Sequence, residues 1–299
     1  MIYAEFEEKE FEGPLNIQLL QGSNLLWTPG QVFEEAIGID AAMFIRHHFF
    51  WRLFHFPHPP GGVLIPYYRW NFIWKHRNNK RRLPNFKLNL FIQTKRPMTS
   101  SRASKKYRVQ RITGRYWRFD VLKHQQEALE KVAQKLKDRA LVVYAAPVFH
   151  IVKDLYDHIK NNTMVQNSTF PPVIRLKSHK SWIYQEPGIK GWAYSKPEFV
   201  EEAFLLEQIT SMYKKEGISE GDELWKSKQN LQKLVNIIYE TLTEKANQYN
   251  PRVKEYLFWF EEIKMVTPHF REEDFQIHKN FLMILLFCTI FNLNWYIIG

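Results

Sequence analysis

From residue 41 to residue 119 the chain holds no aspartate or glutamate, yet 18 of its 42 lysines and arginines fall there, from Arg46 to Arg118. No other feature limits so strongly what these 299 residues can form. A block of one sign repels itself unless something anionic lies against it, and a polyphosphate backbone is the commonest such partner. An anionic membrane surface is a lesser alternative, and a solvated face is the bland one. Outside the block, 24 basic residues stand against all 31 acidic ones. The chain is thus a slightly acidic protein carrying one cationic segment.

Hydrophobic residues make up 45% and aromatic residues 16% of the chain, enough for one large core or for a domain with an appendage. Cys288 is the one cysteine, which excludes an internal disulfide framework and a cysteine-ligated zinc site. The opening MIYAEFEEKEFEG is acidic and has no apolar core, so no secretory signal is expected there and the cytoplasm is the expected address. The apolar run FLMILLFCTIF at 281–291 falls short of the roughly 20 residues a membrane span needs. It reads as a buried terminal helix or a partner contact, and membrane association is not expected.

Periodicity divides the chain. A short strand is expected over 15–20. Thr28-Pro29-Gly30 opens a short helix that Gly38 stops, because Thr caps well, Pro suits the first helical position and Gly ends helices. A strand over 39–45 follows. Residues 46–87 are dense in aromatics and broken by HPPGG at 58–62, and they carry KHRNNKRR at 75–82. They read as a basic, aromatic insertion in which rings either stack on bases or fill a core. Residues 88–95 form the clearest strand, stopped by Pro97. Residues 98–115 read as a basic loop. Leu122, Leu129, Val132 and Leu136 recur at helical spacing, which predicts an amphipathic helix over 121–138. An apolar strand over 140–146 comes next, then strand regions near 173–176 and 182–184, then helices over 198–214, 224–247 and 252–264. A boundary near residue 196 divides an α/β domain, 1–195, from a helical C-terminal region, 196–299, where a second copy or a partner protein would dock.

The densest chemistry lies in FIQTKRP at 91–97. Side chains alternate along a strand, so Gln93 and Lys95 share a face with Asn89 and Phe91, while Leu88, Leu90 and Ile92 face the other way. Upstream, TPGQVFEEAIGID puts Glu34 and Glu35 on the short helix and Asp40 at the start of the next strand. These are the last acids before the cationic block, and a carboxylate held there is suited to a divalent metal. Val32, Phe33, Ala36 and Ile37 define the buried helix face, and both glutamates flank it. His47, His48, His55, His58 and His76 are a weaker zinc candidate, lacking a cysteine or carboxylate beside them.

An acid on a helix, an acid on a strand, x-x-K on a neighbouring strand, then an amphipathic helix and a buried strand resemble the PD-(D/E)XK, or restriction endonuclease-like, nuclease superfamily. Gly30-Gln31-Val32-Phe33-Glu34 and Gln93-Thr94-Lys95 resemble its Mrr-type branch, where glutamine stands for the second acid. The likeness covers roughly residues 28–149. It implies a restriction endonuclease-like α/β core, a central mixed sheet flanked by helices, and Mg²⁺- or Mn²⁺-dependent hydrolysis of DNA in restriction or defence. Asp40, Gln93 and Glu34, or Glu35 in its place, would hold the metal, and Lys95 would orient water and stabilise charge at the phosphate. Lys75, Arg77, Lys80, Arg81, Arg82, Arg96, Lys105, Lys106 and Arg108 would contact the DNA backbone. The rival expectation is a nucleic-acid-binding protein on a decayed nuclease scaffold. Against the pattern, Glu34 and Asp40 stand closer than the family commonly has them, and Asp40 and Gln93 stand farther apart.

Overall fold

The computed structural model describes residues 1–22, 26–27, 88–215, 223–244, 251–265 and 272–298. Met1–Trp27 and Asn85–Gly299 make one compact unit, and Thr28–Pro84 make another. The helix and strand expected over 28–45 and the insertion at 46–87 lie outside the described residues.

The described chain is mixed α/β, built on two sheets. The first is five-stranded, in the order β2 (Leu26–Trp27), β11 (Asn294–Ile298), β3 (Leu88–Thr94), β6 (Ala140–Pro147), β7 (Ser168–Thr169). Here β3 and β6 run parallel, and the other pairings are antiparallel. The second is six-stranded and antiparallel throughout: β1 (Ile2–Tyr3), β4 (Met98–Ser100), β5 (Tyr116–Asp120), β8 (Ser181–Tyr184), β9 (Ile189–Tyr194), β10 (Glu198–Glu202).

Strand β3 lies between β11 and β6, and all seven of its residues are buried. On one face Phe91 meets Phe287 edge-on at 6.0 Å and stacks on Trp295 at 6.2 Å. On the other face Thr94 meets helix α1 (Glu8–Gln21) through Glu12. Helix α2 (Lys123–Leu136) crosses between β3 and β6, burying Leu129, Val132 and Leu136 as expected and Ala128 besides, whereas Leu122, expected on the same face, is the exposed N-cap residue. A shorter helix, α3 (Val152–Lys160), follows β6.

The helical C-terminal region belongs to the same compact unit as the two sheets. Residues 198–202 form β10 rather than the start of a helix, and α4 (Leu205–Lys215) follows. Then come α5 (Glu223–Thr243), α6 (Pro251–Met265) and α7 (Glu272–Phe291). The apolar run sits inside α7, with Phe281, Ile284, Phe287 and Phe291 almost wholly buried. Among the described residues no helix is long and apolar enough to cross a membrane. Asn292 takes the left-handed conformation at φ 54°, and Leu293 N–H returns to Cys288 O at 2.8 Å. That is a Schellman-type stop, which asparagine tolerates better than other residues with a Cβ. It turns the chain back into β11, whose five residues all pair with β3.

Three further local expectations are corrected. Residues 15–20 lie in α1, where Gly13-Pro14 hides the helix from a propensity reading although the chain continues through it. Residues 98–115 are not a loop but β4, a single helical turn (Lys105–Arg108) and the approach to β5. Residues 173–176 form a 3₁₀ turn rather than a strand.

Candidate active site

Gln93 and Lys95 stand at the C-terminal end of β3, where it runs beside the parallel strand β6. In parallel sheets, binding crevices open at the carboxyl ends of the strands. Gln93 is 1% exposed, and its Nε2 donates to Phe291 O at 2.7 Å. A carbonyl can only accept, so this bond fixes the amide orientation and leaves Oε1 as the outward acceptor. That oxygen is buried and has no hydrogen-bond partner among the described residues. Gln125 of α2 donates to the same Phe291 carbonyl at 2.7 Å, and Arg252 of α6 donates to Ile290 O at 2.8 Å. Three donors therefore meet the end of α7, where orphan carbonyls carry the negative end of the helix dipole.

The Lys95 backbone N–H donates to Ala145 O of β6 at 2.8 Å. The residue is 9% exposed, and Nζ lies 5.4 Å from the centre of the Tyr144 ring. Lys95 forms no ion pair or side-chain hydrogen bond with any described residue. Burial holds its pKa below the ordinary lysine value; Glu8 opposes that shift and Arg252 adds to it. The Tyr144 hydroxyl donates to Gln126 Oε1 at 2.7 Å, and burial pushes its phenol far above the ordinary range. Tyr144 thus offers Lys95 a ring face and no anionic oxygen.

The acids that approach this strand end come from α1. Glu8 and Glu12, one helical turn apart, share a face. Glu12 is 8% exposed, accepts the Thr94 hydroxyl at 2.7 Å and pairs with Lys9 at 2.6 Å. Thr94 points away from the Gln93 face, so Glu12 is held on the other side of the sheet. Glu8 Oε1 accepts the Arg96 backbone N–H at 3.2 Å, and its charge reaches Lys95.

Arg96, expected among the DNA contacts, has another role here. Its Nη1 pairs with Glu7 at 2.6 Å, its Nε and Nη2 donate to Ala4 O at 3.1 and 2.6 Å, and its guanidinium lies over the Tyr3 ring. It fastens the N-terminal segment to the turn between β3 and β4. Lys105 and Arg108 are exposed on the helical turn above the six-stranded sheet. Glu34, Glu35, Asp40, Lys75, Arg77, Lys80, Arg81, Arg82 and the side chain of Lys106 lie outside the described residues, as do all five histidines of the zinc candidate. Among the described residues no three His, Cys, Asp or Glu side chains gather as a metal cluster.

Glu8, Gln125, Tyr144 and Arg252 escape the sequence reading. The i, i+4 spacing of Glu8 and Glu12 is a usable signal once α1 is recognised. Arg252 gives no such signal, since only the fold carries it to β3. No family model, curated protein or solved structure matches this chain.

Proposed function

We propose that the protein is a divalent-metal-dependent DNA nuclease with a restriction endonuclease-like core, acting at the C-terminal end of β3. One observation carries the reading: among the described residues a buried amide oxygen without a partner, Gln93 Oε1, lies two residues from Lys95, a largely buried lysine that forms no ion pair with any described carboxylate. Each desolvated group is costly alone, by about 1–3 kcal/mol for the neutral oxygen and more for the charge. A cation suits the first and an anion the second, and a phosphodiester with its divalent ion supplies both. Hard cations such as Mg²⁺ accept oxygen donors and keep several waters, so the amide oxygen of Gln93 fits, and the family resemblance adds Asp40 and Glu34 or Glu35 as its charged partners. When bound, the ion polarises a phosphoryl oxygen and acidifies water. Lys95 contributes a compact positive charge beside the phosphate, strengthened by its dry surroundings. The parallel β3–α2–β6 arrangement with α1 on the opposite face supports the core assignment.

A second reading has its own support. Gln93 caps α7 through Phe291 O and is nearly inaccessible, as expected of a nucleic-acid-binding protein on a decayed scaffold. Incubation of supercoiled and linear DNA with the purified chain, with and without Mg²⁺ or Mn²⁺, separates the two. The nuclease converts DNA only with metal, while Asp40→Asn and Lys95→Ala fold normally and cleave at least 10²-fold more slowly, the scale of losing one preorganised charge contact. Absent cleavage by an unaltered chain that still binds DNA leaves the decayed scaffold, and metal-independent cleavage, or cleavage undiminished in both variants, refutes the metal site proposed here.

A further inference from the structure

The segment joining β4 to β5, residues 101–115, holds six lysines and arginines and no acid. Its shape sorts these residues by face. Ala103, Tyr107 and Ile112 turn inward and pack with Tyr116, Ile183 and Tyr194 on the outer face of the six-stranded sheet. Tyr107 is the anchor, meeting Tyr116 edge-on at 5.3 Å and Tyr194 at 5.1 Å. Arg102, Lys105, Arg108, Arg111 and Arg115 are all exposed. Arg108 is partly fixed by donating to Ala103 O at 3.1 Å. Arg111 occupies a left-handed position at φ 62°, which turns the chain after the helical turn and keeps the side chain outward.

The acids nearby are already engaged. Asp120 is paired with Arg118, Glu186 and Glu201 with Lys190, and Glu198 lies 3.5 Å from His179. By contrast, Arg102, Lys105, Arg111 and Arg115 form no ion pair with any described carboxylate. Four exposed cations therefore stand on a small core built round Tyr107, Tyr116 and Tyr194.

We propose that this segment is a second nucleic-acid contact, gripping the phosphate backbone of duplex DNA away from the Gln93–Lys95 site and without regard to base sequence. Counterion release makes phosphate the natural ligand for such an array. A membrane surface fits less well, because Val109 is the only exposed large apolar side chain within the segment, and a membrane-binding face also buries apolar area. The proposal rests on the DNA-directed reading above but not on cleavage, so it is measured without metal.

The experiment is fluorescence anisotropy of the full chain with a labelled duplex in EDTA, across a series of salt concentrations. The variant carries Arg102→Ser, Lys105→Ser, Arg111→Gly and Arg115→Ser; glycine suits the positive φ at 111. A control carries Lys123→Ser, Lys153→Ser and Lys160→Ser, exposed residues on α2 and α3. The four-site variant should keep its melting temperature, bind more than ten-fold more weakly near physiological salt, and show a log–log salt slope smaller by about 0.9 per lost contact, about 3.6 in all. The control should retain the original slope. An unchanged slope in the four-site variant overturns the proposal, as does an equal per-charge loss in the control. Wild-type chain that floats with phosphatidylserine vesicles while failing to bind duplex also overturns it. Normal binding in EDTA without cleavage in Mg²⁺ refutes the nuclease reading alone.

Discussion

Gln93 and Gln125 donate to the same carbonyl, yet their removal should have opposite consequences. Replacing either with leucine deletes one amide bond to Phe291 O, worth about 1 kcal/mol net, and leaves that carbonyl its other donor. Gln125 has no stranded oxygen, so Gln125→Leu should lower stability by about 1 kcal/mol. Gln93 has one, and removing it relieves about 1–3 kcal/mol of desolvation. Gln93→Leu should therefore range from neutral to about 2 kcal/mol more stable than the unaltered chain. Chemical denaturation followed by tryptophan fluorescence reads both changes. The same samples with Mg²⁺ read the function: a ligand that binds only the folded state adds about 2.7 kcal/mol at a hundred-fold excess over Kd, and Gln93→Leu should lose most of that gain together with cleavage. Gln125→Leu should keep both. Equal destabilisation in the two variants, with Mg²⁺ stabilisation and cleavage intact in Gln93→Leu, would refute the ligand role and leave Gln93 a helix cap.

Two further outcomes follow from the same strand end. Lys95 has a folded-state pKa below its unfolded value. The unfolded chain therefore binds more protons between those two values, and stability should rise with pH across that window up to about 10.5. Cleavage, which needs the charged form, should fall over the same range, and Lys95→Arg should abolish the fall in the pH–rate profile while cutting the maximum rate; an alkaline limb identical in Lys95→Arg would assign it to another group. Thr94→Val removes the hydroxyl donated to Glu12 and leaves a buried carboxylate oxygen without that partner. It should cost about 1–3 kcal/mol or more in the denaturation midpoint at neutral pH, and a loss much below this would mean that Glu12 is rehydrated in solution.

What was legible in the sequence is what local patterning encodes. Strand β3, helix α2 and strand β6 follow directly from apolar spacing, and α7 follows from its apolar run. The errors arise where tertiary packing outweighs local preference. Gly13-Pro14 masks α1, which a pair of Phe149 contacts at Phe6 and Phe11 helps to hold. The polar sequence of 98–115 hides a strand and a helical turn, because Tyr107 and Ile112 supply the apolar anchors one at a time. Strand β11 was missed since a five-residue run after a helix reads as its tail, although Trp295 donates to Asn89 at 2.9 Å and seals the strand into the sheet. Of the candidate site, Gln93 and Lys95 were readable because strand alternation places them. The absence of partners was not, since it depends on Phe291, Gln125, Tyr144 and Arg252 arriving from other elements.

The position of Lys95 follows from how the two sheets are joined. Only residues 95–97 separate β3 of one sheet from β4 of the other, so the chain turns from the five-stranded to the six-stranded sheet at the candidate site itself. Three attachments hold that corner: Lys95 N–H on Ala145 O, Ala4 N–H on Pro97 O, and the Arg96 guanidinium on Glu7 and Ala4 O. The bond to β6 fixes the Lys95 backbone, and the Arg96 side chain, still partly exposed, ties the N-terminal segment to the same corner. The backbone position of Lys95 is thus set by the corner, while its side chain lies largely out of water beside the Tyr144 ring. The basic segment begins only a few residues further on, at the end of β4. The corner thus sets both the backbone position of Lys95 and the point from which β4 carries the basic segment onto the six-stranded sheet, so both are placed before anything binds.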